Sequence, residues 1–285
     1  MNKFDDRPSN LAFVVVATML LWVCWLFFNA GTVLTIFGDR QFGSAKIMVN
    51  TVVCGATSGI VAQFLRPRFI IDKTKTKVII YDVMALCNGV LIGLVSITGV
   101  CNVVDPEFAF MIGVLAGVVY VIGAKLFIYC KIDDPLEAGV VHGIGGMWGI
   151  IAAGLFNNRT GLLVTNFNEF LSSGEDERIV KFNQYEQFGI QMVGLVAIAT
   201  WTGVNSYIFF KLLDIKGLFR INLLDEVLGQ DIMDFGAELP TFHKDETEIK
   251  DLFEKFHKEK QLDESLKKDE ARKRSHSQKL TERSF

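Results

Sequence analysis

The sequence predicts an all-α, polytopic membrane protein with six transmembrane helices, and three observations lead to this fold class. Half of the residues are hydrophobic, and the mean hydropathy is +0.33. The charged residues cluster in the connecting loops and in the C-terminal tail. Between them lie apolar runs of about the 20 residues that a helix needs to cross a bilayer.

The first three predicted spans cover residues 11–38, 47–65 and 83–104. The first carries no charged residue and is long enough to cross the membrane with a tilt. The second contains Gly55 and Gly59, and the third contains Gly89 and Gly93. Because glycines four residues apart let two membrane helices approach closely, we expect these helices to pack tightly.

The last three predicted spans cover residues 108–124, 135–156 and 188–210. The fourth has the same glycine spacing, at Gly113 and Gly117. The fifth is expected to begin near Pro135, because proline suits the first turn of a helix and the acidic Asp133 and Asp134 favour the positive end of its dipole. A polar loop, 157–187, precedes the sixth span.

The fifth span contains His142 within residues 138–158, which carry no charged side chain. Counted from Pro135, His142 is expected roughly 10 Å along the helix, toward the middle of the bilayer. An ionisable side chain at that depth indicates a functional site, whereas the alternative is an imidazole that packs on a neighbouring helix and bonds a carbonyl. Several glycines around it would let other helices come close: Gly139, Gly143, Gly145, Gly146 and Gly149.

The cysteines and the other reactive residues show no pattern typical of a catalytic or metal site. Cys24, Cys54, Cys87, Cys101 and Cys130 form no C-x-x-C pair and lie mostly in apolar runs, so we expect buried thiols rather than a disulfide or zinc framework. There is also no nucleophile or phosphate-loop constellation. We therefore expect no enzyme activity, no cofactor, no metal ion and no nucleic-acid partner.

Three stretches of the sequence carry a family resemblance. The run D-D-P-L-E-A-G-V-V-H-G-I-G-G-M-W-G at 133–149 closely resembles the tenth transmembrane helix of the ammonium transporter/Rhesus (Amt/Rh) family. W-L-F-F-N-A-G-T at 25–32 resembles the sixth-helix motif W-F-G-F-N-x-G-S, and G-L-V-S-I-T at 93–98 resembles G-L-V-x-I-T-P. The resemblance covers 8 to about 236.

The resemblance implies roles for individual residues. His142 matches the second of a conserved pair of pore histidines, and Phe28 matches the aromatic gate above the pore. Thr32 replaces a serine that helps to hold ammonium at the outer vestibule, and Trp148 is expected to line the pore. Helix-start and packing roles are expected for a further set: Asp133, Asp134, Pro135, Gly139, Gly143 and Gly146.

The sequence also departs from the family pattern. Phe27 replaces a glycine of the sixth-helix motif, so its ring should disturb close packing or enter space that is elsewhere open. Without the motif, Phe27 and Phe28 would be interpreted as lipid-facing or core aromatics. Gly99 stands where proline is usual, and Phe235 and Ala237 replace a histidine and a glutamate of the family's cytoplasmic segment.

The matched motifs all belong to the second half of the family fold. They imply one inverted repeat plus the final strap helix, which are family helices six to eleven. The pore histidine of the first repeat then has no counterpart in this chain. A polar route through roughly 30 Å of hydrocarbon must be shielded from lipid on every side. We therefore expect the chain to contact the lipid bilayer and other membrane subunits that cover the exposed half-pore wall.

The sequence divides into a short N-terminus (1–10), a membrane domain (11–213), a family-like cytoplasmic segment (214–240) and a charged tail (241–285). A predicted helix at 247–266 carries a narrow apolar stripe that is either a solvated face or a docking site for a partner. Loop cations indicate that both termini face the cytosol or the mitochondrial matrix, because the inner loops carry the excess of Lys and Arg. The predicted inner side holds Lys3, Arg7, Arg66, Arg68, Lys73, Lys75, Lys77, Lys131, Lys211, Lys216 and Arg220, and the outer side holds Arg40, Lys46, Arg159, Arg178 and Lys181.

These observations lead to two main hypotheses about function. The first is a structural or accessory subunit of a larger membrane complex, in which an ammonium-transporter half does not transport on its own. The alternative is an ammonium or ammonia transporter completed by another polypeptide that supplies the first half. The departures at Phe27, Thr32, Gly99, Phe235 and Ala237 favour the first. An ammonium sensor is a weaker third hypothesis, because the tail shows no signalling module.

Overall fold

The structure is a computed structural model that describes residues 10–34, 41–69, 81–164 and 184–221. Within these ranges the chain is all-helical, as the sequence predicts. The elements are α1 (Leu11–Gly31), α2 (Gln41–Phe69), α3 (Val83–Thr98), α4 (Pro106–Cys130), a π-helical segment (Gly139–Ile144), α5 (Gly145–Phe156) and α6 (Gln184–Ile215).

Five helical stretches in the described ranges are long and apolar enough to cross a membrane, and they agree with five of the six predicted spans. They are Leu11–Gly31, Phe42–Arg68, Pro106–Cys130, Gly139–Phe156 and Tyr185–Ile215. The sixth predicted span, 83–104, corresponds to α3, which is apolar but has only 16 residues. That is shorter than the usual membrane-spanning helix.

The α3 helix ends at Thr98 because its C-terminal continuation is held in turns. The side-chain amide of Asn50 donates to the carbonyl oxygens of Cys101 (2.9 Å) and Val104 (2.8 Å). Those carbonyls are therefore satisfied by a buried side chain instead of by further helical turns. The apolar side chains of this turn are buried as well, so hydropathy alone could not distinguish the turn from helix.

The remaining helix ends also differ from the predicted ones. The α2 helix extends to Phe69, the α4 helix to Cys130 and the α6 helix over Gln184–Ile215, while α1 ends at Gly31. Hydropathy marks the apolar part of a helix, whereas backbone hydrogen bonding continues into polar residues at its ends. Lys131, with a φ of 57°, then ends α4.

Glycines allow the helices around α2 to pack closely. The α2 helix contacts α1, α3 and α4. A Cβ atom at Gly89 would lie 2.4 Å from the Cβ of Ala62, and one at Gly93 or Gly113 would lie 2.8 or 2.6 Å from the carbonyl oxygen of Cys54. Such distances are too short for a side chain, so these backbones meet only because the residues are glycines. The predicted close packing is confirmed.

The cysteines are only partly buried, contrary to the prediction. Cys54, Cys87 and Cys101 are buried, but Cys24 and Cys130 are exposed, and all five are free. Cys24 lies on α1, which is mostly uncovered in this chain, and Cys130 is the last residue of α4. An apolar run in a membrane protein thus places a thiol in a helix without determining whether the thiol faces the bundle.

The chain divides into two compact units, Met1–Val204 and Asn205–Phe285. The bundle described above belongs to the first. In the second, α6 ends where Gly217 adopts a φ of 67°, and Phe210 contacts the rings of Phe209 (5.8 Å between centroids) and Phe219 (5.5 Å). Several predictions lie outside the described residues: segment 1–9, most of 214–240, the tail 241–285 with its helix 247–266, and the departures at Phe235 and Ala237.

Candidate functional site

The histidine of the 133–149 motif lies in the π-helical segment Gly139–Ile144, which continues directly into α5. One carboxylate oxygen of Asp134 accepts the backbone N–H groups of Gly139 (2.9 Å) and of the next residue (3.3 Å). This bonding caps a helix start. The expected start near Pro135 is wrong, because Pro135 lies in a turn and Glu137 has a left-handed φ of 56°.

His142 consequently lies in the first turn of its helix. It comes three residues after Gly139, whereas the sequence suggested a helix that begins seven residues earlier at Pro135. The expected position roughly 10 Å along the helix, at α-helical rise, is therefore wrong. Asp133 and Pro135 are exposed in the turn ahead of it, so of the three residues assigned to the helix start only Asp134 caps it.

One side of the π-helical segment and of the start of α5 is uncovered in the described chain. We call it the open face, and it consists of His142, Gly143, Gly146 and Met147. His142, Gly143 and Met147 are exposed, and a Cβ atom at either glycine would meet no atom within 4 Å. The packing role expected for Gly143 and Gly146 is therefore wrong within the described residues.

The opposite side of the same helix is packed tightly. A Cβ atom at Gly139 would lie 2.7 Å from a phenyl ring of α4, one at Gly145 would lie 2.5 Å from Ile92, and one at Gly149 would lie 2.8 Å from the carbonyl oxygen of Ser96. The Ser96 hydroxyl also donates to the Gly145 carbonyl oxygen at 3.2 Å. Gly139 thus lies at a close contact with α4, and α3 is the main neighbour of α5.

Trp148 lies in the packed interior of the bundle. Its indole N–H donates to the carbonyl oxygen of Ile112 in α4 at 3.2 Å, and its ring meets Phe156 edge-on, with 6.5 Å between centroids. It packs against both clusters of buried hydrophobic side chains. This placement favours a packing role for Trp148 over the pore-lining role that the family resemblance implies.

The two phenylalanines of the 25–32 motif lie on the exposed side of α1. Phe27 is 66% exposed and Phe28 is 64% exposed. The Phe28 ring contacts Trp25, with 6.3 Å between centroids, and the Trp25 indole N–H donates to the Thr98 hydroxyl at 2.8 Å. The ring of Phe27 therefore enters open space and does not disturb the packing of α1, which is one of the two outcomes that its substitution for glycine suggested.

Thr32, the predicted vestibule residue, and His142, the predicted pore histidine, lie in helices that have different neighbours. The Thr32 hydroxyl donates to the carbonyl oxygen of Asn29 at 2.7 Å. The α1 helix contacts α2 and α3, whereas the π-helical segment contacts α3, α4 and α5. The hydrogen bonds and ring contacts of the described residues do not join Phe28 or Thr32 to His142 directly.

Around Glu137, two residues before the π-helical segment, lies a group of polar side chains that was not predicted from the sequence. The carboxylate of Glu137 accepts hydrogen bonds from Arg66, from Asn88 (2.9 Å) and from the hydroxyl of Tyr120. Arg66 also pairs with Asp82 at 3.3 Å and lies 5.8 Å from the centre of the Tyr120 ring. We call these five residues the Glu137 cluster. The side chains of Arg66 and Glu137 are only 17% and 15% exposed.

Sequence reasoning missed the Glu137 cluster because its members are distant in the chain. Arg66 and Glu137 are 71 positions apart, and Arg66 was counted among the loop cations. The sequence offered one weak signal. Arg66 and Glu137 each directly adjoin an apolar run, and a charge at such a position needs a buried partner to avoid facing lipid.

The open face offers one imidazole among glycines. Histidine can donate and accept hydrogen bonds and can exchange a proton near neutral pH. Among the described residues, no group of three or more His, Cys, Asp or Glu side chains could hold a metal ion. The arrangement therefore suits contact with a small polar solute or with a second polar surface.

Comparison with known proteins identifies the family. The profile of the Ammonium Transporter Family matches residues 2–239. Ammonium transporter 1 member 3 of Solanum lycopersicum is 34% identical over 249 residues, which are 83% of this chain and 51% of that protein.

Solved structures of the same family share the fold. A structure of a Sensor Amt Protein has a TM-score of 0.62 and 26% identity, over 81% of this chain and 52% of that chain. Mep2 of Saccharomyces cerevisiae has a TM-score of 0.59 and 24% identity, over 82% of this chain and 50% of that chain. At such identity the second likeness bears on the fold alone.

The chain spans about half the length of the relatives it matches. Its apolar helices and its relatives make it an integral, multi-pass membrane protein. The motifs quoted from its sequence, the all-helical bundle and the profile match over most of its length agree: the chain belongs to the Ammonium Transporter Family.

Proposed function

We propose that this chain forms one wall of an ammonium conduction path, and that the facing wall comes from sequence outside it. The observation that carries the proposal is the open face, where His142 is exposed among glycines while the other side of its helix is packed on α3. The Solanum lycopersicum relative reported above is named as an ammonium transporter. This favours transport over the accessory-subunit hypothesis.

The proposal needs a second wall for a physical reason. An ion or proton that crosses roughly 30 Å of hydrocarbon requires polar contacts that are shielded from lipid on all sides. In the described residues the open face is covered by no other helix. The half-length match and the three motifs support a correspondence with the second half of the family fold, which is one inverted repeat plus the strap helix.

Within this proposal the family-implied roles are assigned residue by residue. His142 lines the route or relays a proton, Phe28 gates it, and Thr32 contributes to the outer vestibule. The exposure of Phe28 and His142 supports roles in which each meets a surface outside the described bundle. The packing of Trp148 against α4 supports a structural role instead.

We also propose that both termini lie on the cytosolic or matrix side, with 11–213 as the membrane domain and 214–240 as a cytoplasmic segment. The excess of Lys and Arg in the loops on that side supports the orientation. Protease protection of tags on either terminus in sealed vesicles tests it. Cleavage of the tags from the opposite side would contradict the orientation.

The transport proposal is tested on the native assembly. The assembly is purified from its own membrane with this chain in it, reconstituted into vesicles and assayed for ammonium uptake. We compare wild type with His142→Ala and with Leu126→Ala, an exposed residue of α4 outside the open face. Uptake by wild type and by Leu126→Ala, together with its loss in His142→Ala, supports the proposal.

Two results would contradict it. Uptake that is unchanged in His142→Ala would remove the proposed role of the open face. Co-purified subunits unrelated to transporters, together with no ammonium uptake by the wild-type assembly, would favour the accessory-subunit hypothesis. A co-purified polypeptide, or a further segment, with five spans and a histidine opposite His142 would exclude that hypothesis.

A further inference from the structure

Four of the five buried residues of α5 lie on one side of the helix: Gly145, Gly149, Ala152 and Phe156, at steps of four, three and four residues. The fifth, Gly154, packs on Phe188 of α6 instead. A further step of three residues back from Gly145 reaches His142. Because an α-helix turns by about 100° per residue, an uninterrupted helix would place both Val141 and His142 within about 60° of Gly145, beside this buried set.

The π-helical segment changes that arrangement. Val140 and Val141 are buried in it, whereas His142 and Gly143 are exposed. A π-helical turn bonds each residue to the fifth one along rather than the fourth, so it accommodates one extra residue. The buried positions therefore move back by one, from Val141 and His142 to Val140 and Val141. The π-helical geometry thus accounts for the presence of His142 on the open face.

Two residues before this segment, the backbone is held in an unusual conformation. Glu137 has a φ of 56°, which is uncommon for a residue other than glycine and persists only where the surroundings enforce it. Its carboxylate receives one donor from each of three helices: Arg66 of α2, Asn88 of α3 and Tyr120 of α4. All three partners donate, so the site suits a group that only accepts hydrogen bonds.

We propose that Glu137 is a positioning residue: its carboxylate, bound by Arg66, Asn88 and Tyr120, fixes the start of the π-helical segment and thereby keeps His142 on the open face. Loss of the cluster would let the helix relax toward continuous α-helix and return His142 to the buried side. The importance of Glu137 for transport rests on the proposed function. The position of His142 itself can be measured without a transport assay.

The test measures the reaction of His142 with diethyl pyrocarbonate in the purified chain 1–285, resolved by peptide mass. His243, His257 and His276 serve as references for reagent activity. Glu137→Gln preserves the size of the side chain but places an amide nitrogen against donors. A hydrogen bond to a charged group can shift a two-state equilibrium roughly tenfold or more, so a largely exposed His142 should react at least about twofold more slowly.

The matched control is Leu136→Ala, which changes an exposed side chain next to Glu137 and leaves the carboxylate in place. It should leave the His142 rate unchanged. If Glu137→Gln does not fold, Tyr120→Phe removes one donor and keeps the ring, and the rate at His142 should still fall measurably. An unchanged rate in the folded variant would overturn the proposal.

The reaction rate and ammonium uptake separate this inference from the proposed function. If Glu137→Gln slows the reaction at His142 while the wild-type assembly transports no ammonium, the positioning role stands and the transport proposal is contradicted. Normal transport with an unchanged reaction rate in Glu137→Gln would contradict only the positioning role.

Discussion

Gly146 and Gly149 of α5 lie three residues apart, but only Gly149 packs against another helix. Comparing substitutions at the two positions therefore tests the packing of α5. A Cβ atom at Gly149 would lie 2.8 Å from the carbonyl oxygen and 3.3 Å from the Cα of Ser96, both backbone atoms of α3. A Cβ atom at Gly146 would meet no atom within 4 Å. We therefore compare Gly149→Ala with Gly146→Ala.

The magnitude follows from the geometry. Both variants gain the same helix propensity, about 1 kcal/mol, so this gain cancels in the comparison. Gly149→Ala must push α5 away from α3, and overpacking of this kind costs about 1–3 kcal/mol. The same movement lengthens the hydrogen bond of 3.2 Å from the Ser96 hydroxyl to the Gly145 carbonyl oxygen, and loss of that bond costs about 1 kcal/mol more.

The assay is thermal unfolding of the purified chain in one detergent at one scan rate. A difference of about 1–4 kcal/mol corresponds to a Tm for Gly149→Ala that is several degrees below that of Gly146→Ala. Circular dichroism of both variants at low temperature checks that the helices form. Equal Tm values, or a higher Tm for Gly149→Ala, would refute the assigned packing of α5 on α3 and the existence of the open face.

Three further predictions concern other described contacts. Asn50→Leu leaves two buried carbonyls of the α3–α4 turn without a donor. The free energy of unfolding, measured by denaturant titration, should therefore fall by about 2–4 kcal/mol. An unchanged free energy would contradict the proposed end of α3. Asp105→Asn removes the charged partner of Lys46, which lies at 2.5 Å, but these side chains are 45% and 35% exposed. The free energy of unfolding should therefore fall by at most about 1 kcal/mol, and the difference should shrink with added salt. A larger, salt-independent decrease would show that the pair is buried. Cys101 is 3% exposed whereas Cys130 is exposed, so maleimide should label Cys130 rapidly near neutral pH and Cys101 slowly; equal rates measured by peptide mass would contradict this burial.

Much of the fold could be predicted from the sequence because membrane helices are marked by length and polarity. Five of the predicted spans correspond to helices long enough to cross a bilayer, and the glycine pairs of α2, α3 and α4 lie at close contacts as expected. The helix ends were less predictable. The α3 helix ends early because Asn50, 51 positions before Cys101, binds the carbonyls of the following turn.

The candidate site was predicted only in part. The motif around His142 led to the correct family, and Asp134 does lie at the helix start. Gly143 and Gly146 were assigned to packing because glycines in a membrane helix usually allow close approach. In the structure they lie on the open face, while Gly145 and Gly149 make the contacts.

The sequence by itself determined that this is a multi-pass helical membrane protein of the ammonium transporter family, because apolar length and a long motif are local properties of the chain. The tertiary structure alone decided which side of each helix is covered. In helices that are apolar all round, the sequence has no polar stripe to mark the outer side. It likewise decided that Glu137 meets Arg66, because these residues are 71 positions apart in the chain, and that His142 lies exposed in a π-helical segment.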